Sequence, residues 1–294
     1  MDNEFLLQDR LQKIRQIVNK YGEENFYISF SGGKDSTVLS ALVDMALPEN
    51  RIPRVYVDTG IDYEMVRQFV VTMSHTDDRV VIIKPRVPIK PMLEEKGYPF
   101  KSKEHSAILE TYQKNGLKTH WVKQYLQVDT ERPNKKDCYA CPKCLRSQFS
   151  EDYNLKVSDS CCKELKETPL KQWQEENNRY FGMLGLMPSE GGRRINAKCL
   201  VFKGKKFMNF QPLVVITKDW EDWFIERYHV EICAIYYPPY NFTRTGCKGC
   251  PFAPNLQHNL DVMEEYFPTE RKQCEAIWKP VYDEYRRLGY RLKK

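Results

Sequence analysis

No stretch of this chain approaches the roughly 20 consecutive apolar residues that a membrane-spanning helix needs, so no such span is expected. The first residues, Met1-Asp-Asn-Glu-Phe-Leu-Leu7, lack the charged start and long apolar run of a secretory signal, and the protein is expected to stay in the cytoplasm without a membrane partner. Histidine is scarce: there are 5 in 294 residues, and none stands at metal-ligand spacing from another. His105 and His120 lie among lysines, within reach of phosphate, but read better as solvated or core residues. An excess of one charge is also missing, since a net +6 on this length is only mildly basic and does not by itself mark a nucleic-acid binder. There is no internal repeat and no low-complexity tract. What remains is a globular chain with enough apolar residues for a proper core.

Cysteine, by contrast, is plentiful at 10 residues. In a reducing compartment closely spaced thiols suggest metal or redox chemistry, not a disulfide framework. The most telling segment is Phe26-Tyr-Ile-Ser-Phe-Ser-Gly-Gly-Lys-Asp-Ser-Thr-Val-Leu39, an apolar strand running through a glycine pair into a helix. Gly32 and Gly33 let the backbone bring its N–H groups against an anion. Ser31 and Ser36 add hydroxyls, Lys34 adds a mobile cation, and the helix opening near Asp35 offers its positive end. A Walker A loop is excluded, because Ile28 stands where its first glycine is required and Asp35 where its Ser/Thr is required. Ser31-Gly-Gly-Lys-Asp-Ser36 instead resembles the PP-loop of the adenine-nucleotide α-hydrolase superfamily, which implies binding of ATP or of a sulfonucleotide. The plain alternative is a Gly-Gly turn between strand and helix.

The first half alternates element types: helix near 5–21, strand 26–30, helix 35–45, strand 54–58, helix 63–73, strand 79–84. That pattern predicts an α/β fold with a doubly wound parallel sheet, with ligands at the carboxyl ends of its strands. Asp58, Thr59 and Gly60 emerge there. Asp58 suits a ribose or adenine contact, or else starts a turn and caps the next helix. Residues 1–84 read as the first part of the nucleotide-binding domain, 85–158 as an inserted helical, basic, Cys-containing segment, 159–252 as the remainder with the cluster cysteines, and 253–294 as a C-terminal helical extension. In the insertion, lysines with Tyr112, Trp121 and Tyr125 suit a polyanion with stacked bases, or else a solvated basic face over core aromatics.

Cys161-Cys162 and Cys247-Lys-Gly-Cys250 form the second constellation. Four thiolates favour iron-sulfur or zinc, and a vicinal pair is awkward for tetrahedral zinc but acceptable to the several corners of a cubane. Cys138-Tyr-Ala-Cys141-Pro-Lys-Cys144 is another metal-like run, suited to zinc or a second cluster with Cys199 or Cys274 as a further ligand, or to a redox-active loop. Gly191-Gly192 before Arg193-Arg194 presents two guanidinium groups on a flexible turn, suited to phosphate or sulfate. Cys233 lies in an apolar run and reads as core.

Cys161-Cys-Lys-Glu-Leu-Lys-Glu-Thr-Pro-Leu170 with Arg244-Thr-Gly-Cys-Lys-Gly-Cys-Pro251 resembles the split cysteine signature of the adenylylsulfate (APS) reductases and their relatives in the phosphoadenylylsulfate (PAPS) reductase family. Val55-Tyr-Val-Asp-Thr-Gly60, Gly185-Leu-Met-Pro-Ser-Glu-Gly-Gly-Arg-Arg194 and the segment from Asn209 to Trp223 resemble further pieces of that pattern. The resemblance runs from about residue 23 to 253, with the insertion poorly matched. It implies a 4Fe-4S cluster on Cys161, Cys162, Cys247 and Cys250, Lys166 beside cluster and substrate, and Arg193 and Arg194 on the sulfonucleotide.

One departure bears on mechanism. The family's reductases attack sulfur with a cysteine on a mobile C-terminal tail, whereas Tyr282 to Lys294 holds none, and Cys274 reads as a helix interior. The leading expectation is therefore an ATP-using enzyme, with Mg2+ on the nucleotide, that adenylylates an acceptor, tRNA or DNA among the candidates. Sulfur is then drawn from a donor such as a cysteine desulfurase. The alternatives are a reductase whose nucleophile has moved to Cys274 or the Cys138–Cys144 loop, reset by thioredoxin or glutathione, and a non-catalytic nucleotide-binding subunit of a modification or defence complex.

Overall fold

Phe26, Tyr27 and Ile28 are all buried, so the first strand is covered on both faces, as strands of parallel sheets are. The computed structural model describes residues 2–128, 140–188 and 195–293. Along the chain the elements are α1 (Asn3–Tyr21), β1 (Phe26–Ser29), α2 (Lys34–Ala46), β2 (Arg54–Val57), α3 (Glu64–Thr76), β3 (Val80–Ile83), α4 (Ile89–Lys96), α5 (Lys103–Asn115) and α6 (His120–Leu126). They continue with α7 (Thr168–Asn177), β4 (Phe181–Met183), β5 (Leu200–Lys203), β6 (Lys206–Phe210), α8 (Lys218–Tyr228), α9 (Leu256–Tyr266) and α10 (Pro268–Leu288). The elements read from the first half of the sequence all form, with ends differing by up to three residues.

The sheet order is β3-β2-β1-β4-β6-β5. Every pairing from β3 across to β6 is parallel. The exception to the expected parallel sheet is its last pair: β5 and β6 run antiparallel, Lys203 opposite Lys206. The cause is local. Only Gly204 and Lys205 separate the two strands, with Gly204 at φ +61°, and two residues are enough for a hairpin but not for a parallel crossover.

The chain divides into two units. The first comprises residues 1–58, 62–85 and 168–245 and contains the whole sheet. Its core joins α1 (Leu7, Leu11, Ile14, Val18), α2 (Val38, Leu39, Leu42, Val43) and α8 (Trp220, Phe224) to the strands. Each such aliphatic side chain, taken fully out of water, contributes roughly 1.5–3 kcal/mol. Arg54 in β2 is fully buried, and its guanidinium donates to Ser40 Oγ at 3.0 Å, Asn50 Oδ1 at 2.9 Å and Asp44 Oδ1 at 2.5 Å, so the charge is paired and hydrogen-bonded.

The second unit comprises residues 59–61, 86–167 and 246–294. His105 on α5 is its polar centre, fully buried, with Nδ1 2.8 Å from Tyr125 Oη and Nε2 3.0 Å from Gln148 Oε1. Burial holds this imidazole neutral, its pKa pulled down to about 3. Of the two readings offered for His105, the core role is the one observed. Tyr285 of α10 packs its ring on Phe100 with centroids 4.4 Å apart and accepts a hydrogen bond from the Lys101 amide at 2.7 Å. Among the described residues no helix is long and apolar enough to cross a membrane.

Candidate functional site

In the first unit, β1 is where the strand order reverses: the chain leaves it toward β2 and β3 on one side, and β4 pairs on the other. In open α/β sheets ligands bind outside the carboxyl ends of the strands at such a switch point. The Ser31–Ser36 loop leaves the carboxyl end of β1 and enters α2 directly. Gly32 has φ +66°, and a Cβ there would lie 2.6 Å from Val70 Cγ2 and 2.9 Å from Val66 Cγ1 of α3. Only glycine allows both the turn and the approach. Gly33 is the N-cap of α2 and gives it no side-chain cap. The loop is held by its own hydroxyls: Ser31 Oγ and Ser36 Oγ are 3.0 Å apart, and Ser36 and Thr37 donate to the Gly33 carbonyl at 2.9 and 3.0 Å.

Residues far away in sequence complete this cradle. A Cβ on Gly185, just past β4, would lie 2.8 Å from the Asp35 carbonyl oxygen, so the exit of the neighbouring strand abuts the first turn of α2. The Tyr236 hydroxyl is hydrogen-bonded to Thr245, and both stand about the position a Gly33 side chain would take. Lys34 is ion-paired with Asp222 and, at 3.5 Å, with Glu221 on α8. Glu221 is 2% exposed, and burial, reinforced by Asp35, raises its carboxyl to about 8. None of Gly185, Tyr236, Thr245, Glu221 and Asp222 was singled out from the sequence. For Gly185, Glu221, Asp222 and Thr245 the signal was the similarity of their segments to the family pattern, which carries no account of how they meet the loop, and Tyr236 had none. Asp58 is buried at the end of β2 with Arg67 of α3 at 3.2 Å and Lys84 at 4.0 Å. Arg193 and Arg194 lie outside the described residues.

In the second unit, Thr59 is buried, with its hydroxyl accepting from the Ile61 amide at 3.3 Å, and Gly60 takes φ +74°. Cys161 and Cys162 open a turn that continues as a π-helix at Lys163–Glu167, carrying Lys166. Short π segments concentrate at functional sites because they change which side chains share a face. The Cys161 thiol is pushed up by its hydrogen bond with the Cys162 thiol, by burial and by Cys250 and Cys247. Cys162 is pulled down by the same bond and, against its burial, by Lys103 and Lys166. Burial, then Cys247, pushes the Cys250 thiol up to about 12. The four sulphurs thus share one electrostatic neighbourhood. Among the described residues, however, no three His, Cys, Asp or Glu side chains are close enough to hold a single ion. As a donor set, four soft sulphurs including a vicinal pair fit an iron-sulfur cluster.

The Cys247–Cys250 loop is clamped by α10, which sequence reading had left as a plain extension. Trp278 Nε1 donates to the Lys248 carbonyl at 3.1 Å, Tyr282 to that of Gly249, and Tyr285 to that of Pro251 at 2.8 Å. Buried Lys248 donates to Glu270 at 3.0 Å and Gln273 at 2.8 Å. Gly249 has φ +61°, and its missing Cβ leaves the room that Cys274 Sγ occupies, 2.7 Å from where that Cβ would stand. Cys274 is completely buried inside α10, its thiol pushed up to about 12 by burial. In the other cysteine run Cys141 is buried and Cys144 exposed, while Cys138 lies outside the described residues. Trp121 is 57% exposed, whereas Tyr125 is part of the core around His105.

Comparison with known proteins adds the following. The chain is similar to phosphoadenylyl-sulfate (PAPS) reductase from Candida auris, at 10% identity over 82% of this chain and 95% of that one, with a TM-score of 0.44. It is similar to the FMN adenylyltransferase of Candida glabrata, at 13% identity over 84% of this chain, with a TM-score of 0.47, and spans 63% of that enzyme. It is also similar to the U34-tRNA thiolase NcsA of Methanococcus maripaludis, described with its 4Fe-4S cluster, at 14% identity over 98% and 80% of the two chains and a TM-score of 0.39. Residues 25–132, the phosphate loop among them, match the model of the phosphoadenosine phosphosulfate reductase domain. Over those residues the chain is similar to the phosphoadenosine phosphosulfate reductase domain.

Proposed function

We propose that this protein is an ATP-using sulfur-transfer enzyme. An oxygen of the acceptor attacks the α-phosphorus of ATP, the bond to the β-phosphate oxygen breaks, and pyrophosphate leaves. The outer sulfur of a persulfide from a donor such as a cysteine desulfurase then displaces AMP, which leaves with the acceptor oxygen, and a thiol reductant cleaves the resulting S–S bond to leave the sulfur on the acceptor. Ser31, Gly32, Gly33, Asp35 and Ser36 bind the phosphates through backbone N–H groups and hydroxyls, with Mg2+ screening the nucleotide's charge. Lys34 neutralises charge as pyrophosphate departs. Asp58, Thr59 and Gly60 receive the nucleoside side. Arg193, Arg194 and Lys166 neutralise anionic groups of the substrate. Cys161, Cys162, Cys247 and Cys250 hold a 4Fe-4S cluster, which when bound supplies a sulfur-carrying iron or a brace for the second unit.

The observation that favours this over sulfonucleotide reduction is Cys274, buried and packed against Gly249, because a reducing nucleophile has to reach its substrate. Exposed Trp121, with Lys118 and Lys123 close in sequence, supports a nucleic-acid acceptor, tRNA or DNA. The exposed thiol of Cys144 supports the second reading, a reductase working through the Cys138–Cys144 loop with thioredoxin. The test is to incubate anaerobically purified protein with ATP, APS or PAPS and to measure pyrophosphate and sulfite. Pyrophosphate from ATP, stimulated by tRNA or DNA, is expected. Sulfite formed from APS or PAPS with a thiol reductant would establish the reductase instead.

A further inference from the structure

Glu221 is costly where it stands. It is 2% exposed, its Oε1 has no hydrogen-bond partner among the described residues, and its Oε2 faces the Lys34 ammonium at 3.5 Å. A buried carboxyl with one oxygen unsatisfied costs stability, and a hydrophobic residue in its place would not. The charged groups facing it are Lys34 and Asp35 from α2 and Asp222 from its own helix. Lys34 in turn is bonded to Asp222 and drawn toward α8.

We propose that Glu221 is a positioning residue for Lys34: with Asp222 it holds the ammonium at α8 until a nucleotide phosphate draws it away, and wherever the buried carboxyl is still ionised it takes up a proton as its counter-ion leaves. The inference rests on reading the Ser31–Ser36 loop as the phosphate site. Burial, Asp35 and Asp222 already raise this carboxyl to about 8 with Lys34 beside it. Departure of the cation and arrival of a phosphate both raise it further. Near pH 7 the group is therefore mostly protonated before the nucleotide arrives. Near pH 9 it is mostly ionised and must acquire almost one proton on binding. By linkage, nucleotide affinity falls about tenfold from pH 7 to pH 9, because the bound state holds the extra proton.

The experiment is calorimetric titration of the full chain with ATP at about pH 7 and pH 9, in two buffers of different ionisation enthalpy, on wild type, E221Q and K34A. Wild type should take up close to one proton per ATP at the higher pH and little at the lower, with the tenfold loss of affinity. E221Q should take up none and hold its affinity within about twofold. Equal proton uptake and equal pH slopes in wild type and E221Q would overturn the inference. Should E221Q not fold, the wild-type proton count decides: none at pH 9 overturns it. ATP binding that K34A leaves unchanged, or no binding at all, would bring down the nucleotide site and this inference together. Binding lost in K34A but without Glu221-dependent proton uptake would bring down this inference alone.

Discussion

A methyl group added to Gly32 would meet two valine side chains on the stiff α3 helix and force φ +66° on a residue with a Cβ. Gly32→Ala should therefore cost about 1–2 kcal/mol of stability and push the loop amides out of line. Thermal unfolding would register the first effect, and a loss of ATP affinity of at least about tenfold the second. His105 sets a different dependence. Its folded pKa, about 3, lies below the ordinary value near 6.5, so between those pH values the unfolded chain binds the proton that the buried ring refuses. Stability is then complete above about 6.5 and falls as pH drops, by up to about 1.4 kcal/mol per pH unit. Urea midpoints measured from pH 7 to 4 should show that slope, and His105→Asn, though less stable overall, should show a shallower one. The Ser31–Ser36 loop between β1 and α2 was legible because its residues sit in six consecutive positions. Glu221 and Asp222 were not, since Asp222 is 188 residues from Lys34 and only the packing of α8 on α2 brings them together.

Helix α10 acts on the second unit through three hydroxyl or indole donors and one buried ion pair, all directed at the short loop Cys247–Pro251. Each hydroxyl removed leaves a buried carbonyl unsatisfied, so Tyr282→Phe and Tyr285→Phe should each lower stability by about 1–3 kcal/mol. Trp278→Ala, which also empties a large buried volume, should cost about 3–5 kcal/mol. Differential scanning fluorimetry ranks the three. If a cluster is bound, Cys161→Ser should abolish its visible absorption outright, whereas Trp278→Ala should speed its loss; absorption retained in Cys161→Ser would remove that cysteine from the ligand set. Sequence periodicity identified a helix here but not its task, because hydrogen bonds from a helix to a distant loop leave no periodic trace. The β5–β6 hairpin is a milder case. The alternation of the first half predicts a parallel sheet throughout, whereas the two-residue Gly204-Lys205 connection makes β5 and β6 antiparallel.

On the scale of the whole molecule, the insertion and the C-terminal extension belong to one unit although more than 70 residues separate them along the chain. Tyr285 packs on Phe100 and bonds the Lys101 amide, so residues 253–294 are not a detachable tail. Truncation after residue 252 should strip hydrogen-exchange protection from α5 and α6 while β1, β2 and α2 stay protected; retained protection in α5 would show that the insertion folds without α10. The sequence by itself determined the strand and helix order of the first half, the Ser31–Ser36 loop between β1 and α2, and the pattern of Cys161-Cys162 with Cys247 and Cys250. Those features rest on short-range backbone preferences and on chemistry carried by adjacent residues. Only the tertiary structure decided what surrounds them, namely Lys34 held by α8, Gly185 and Tyr236 closing on the loop, and Cys274 sealed against Gly249. These depend on contacts between segments far apart in the chain, and burial, which sets the charge state of Glu221 and His105, exists only once those segments have met.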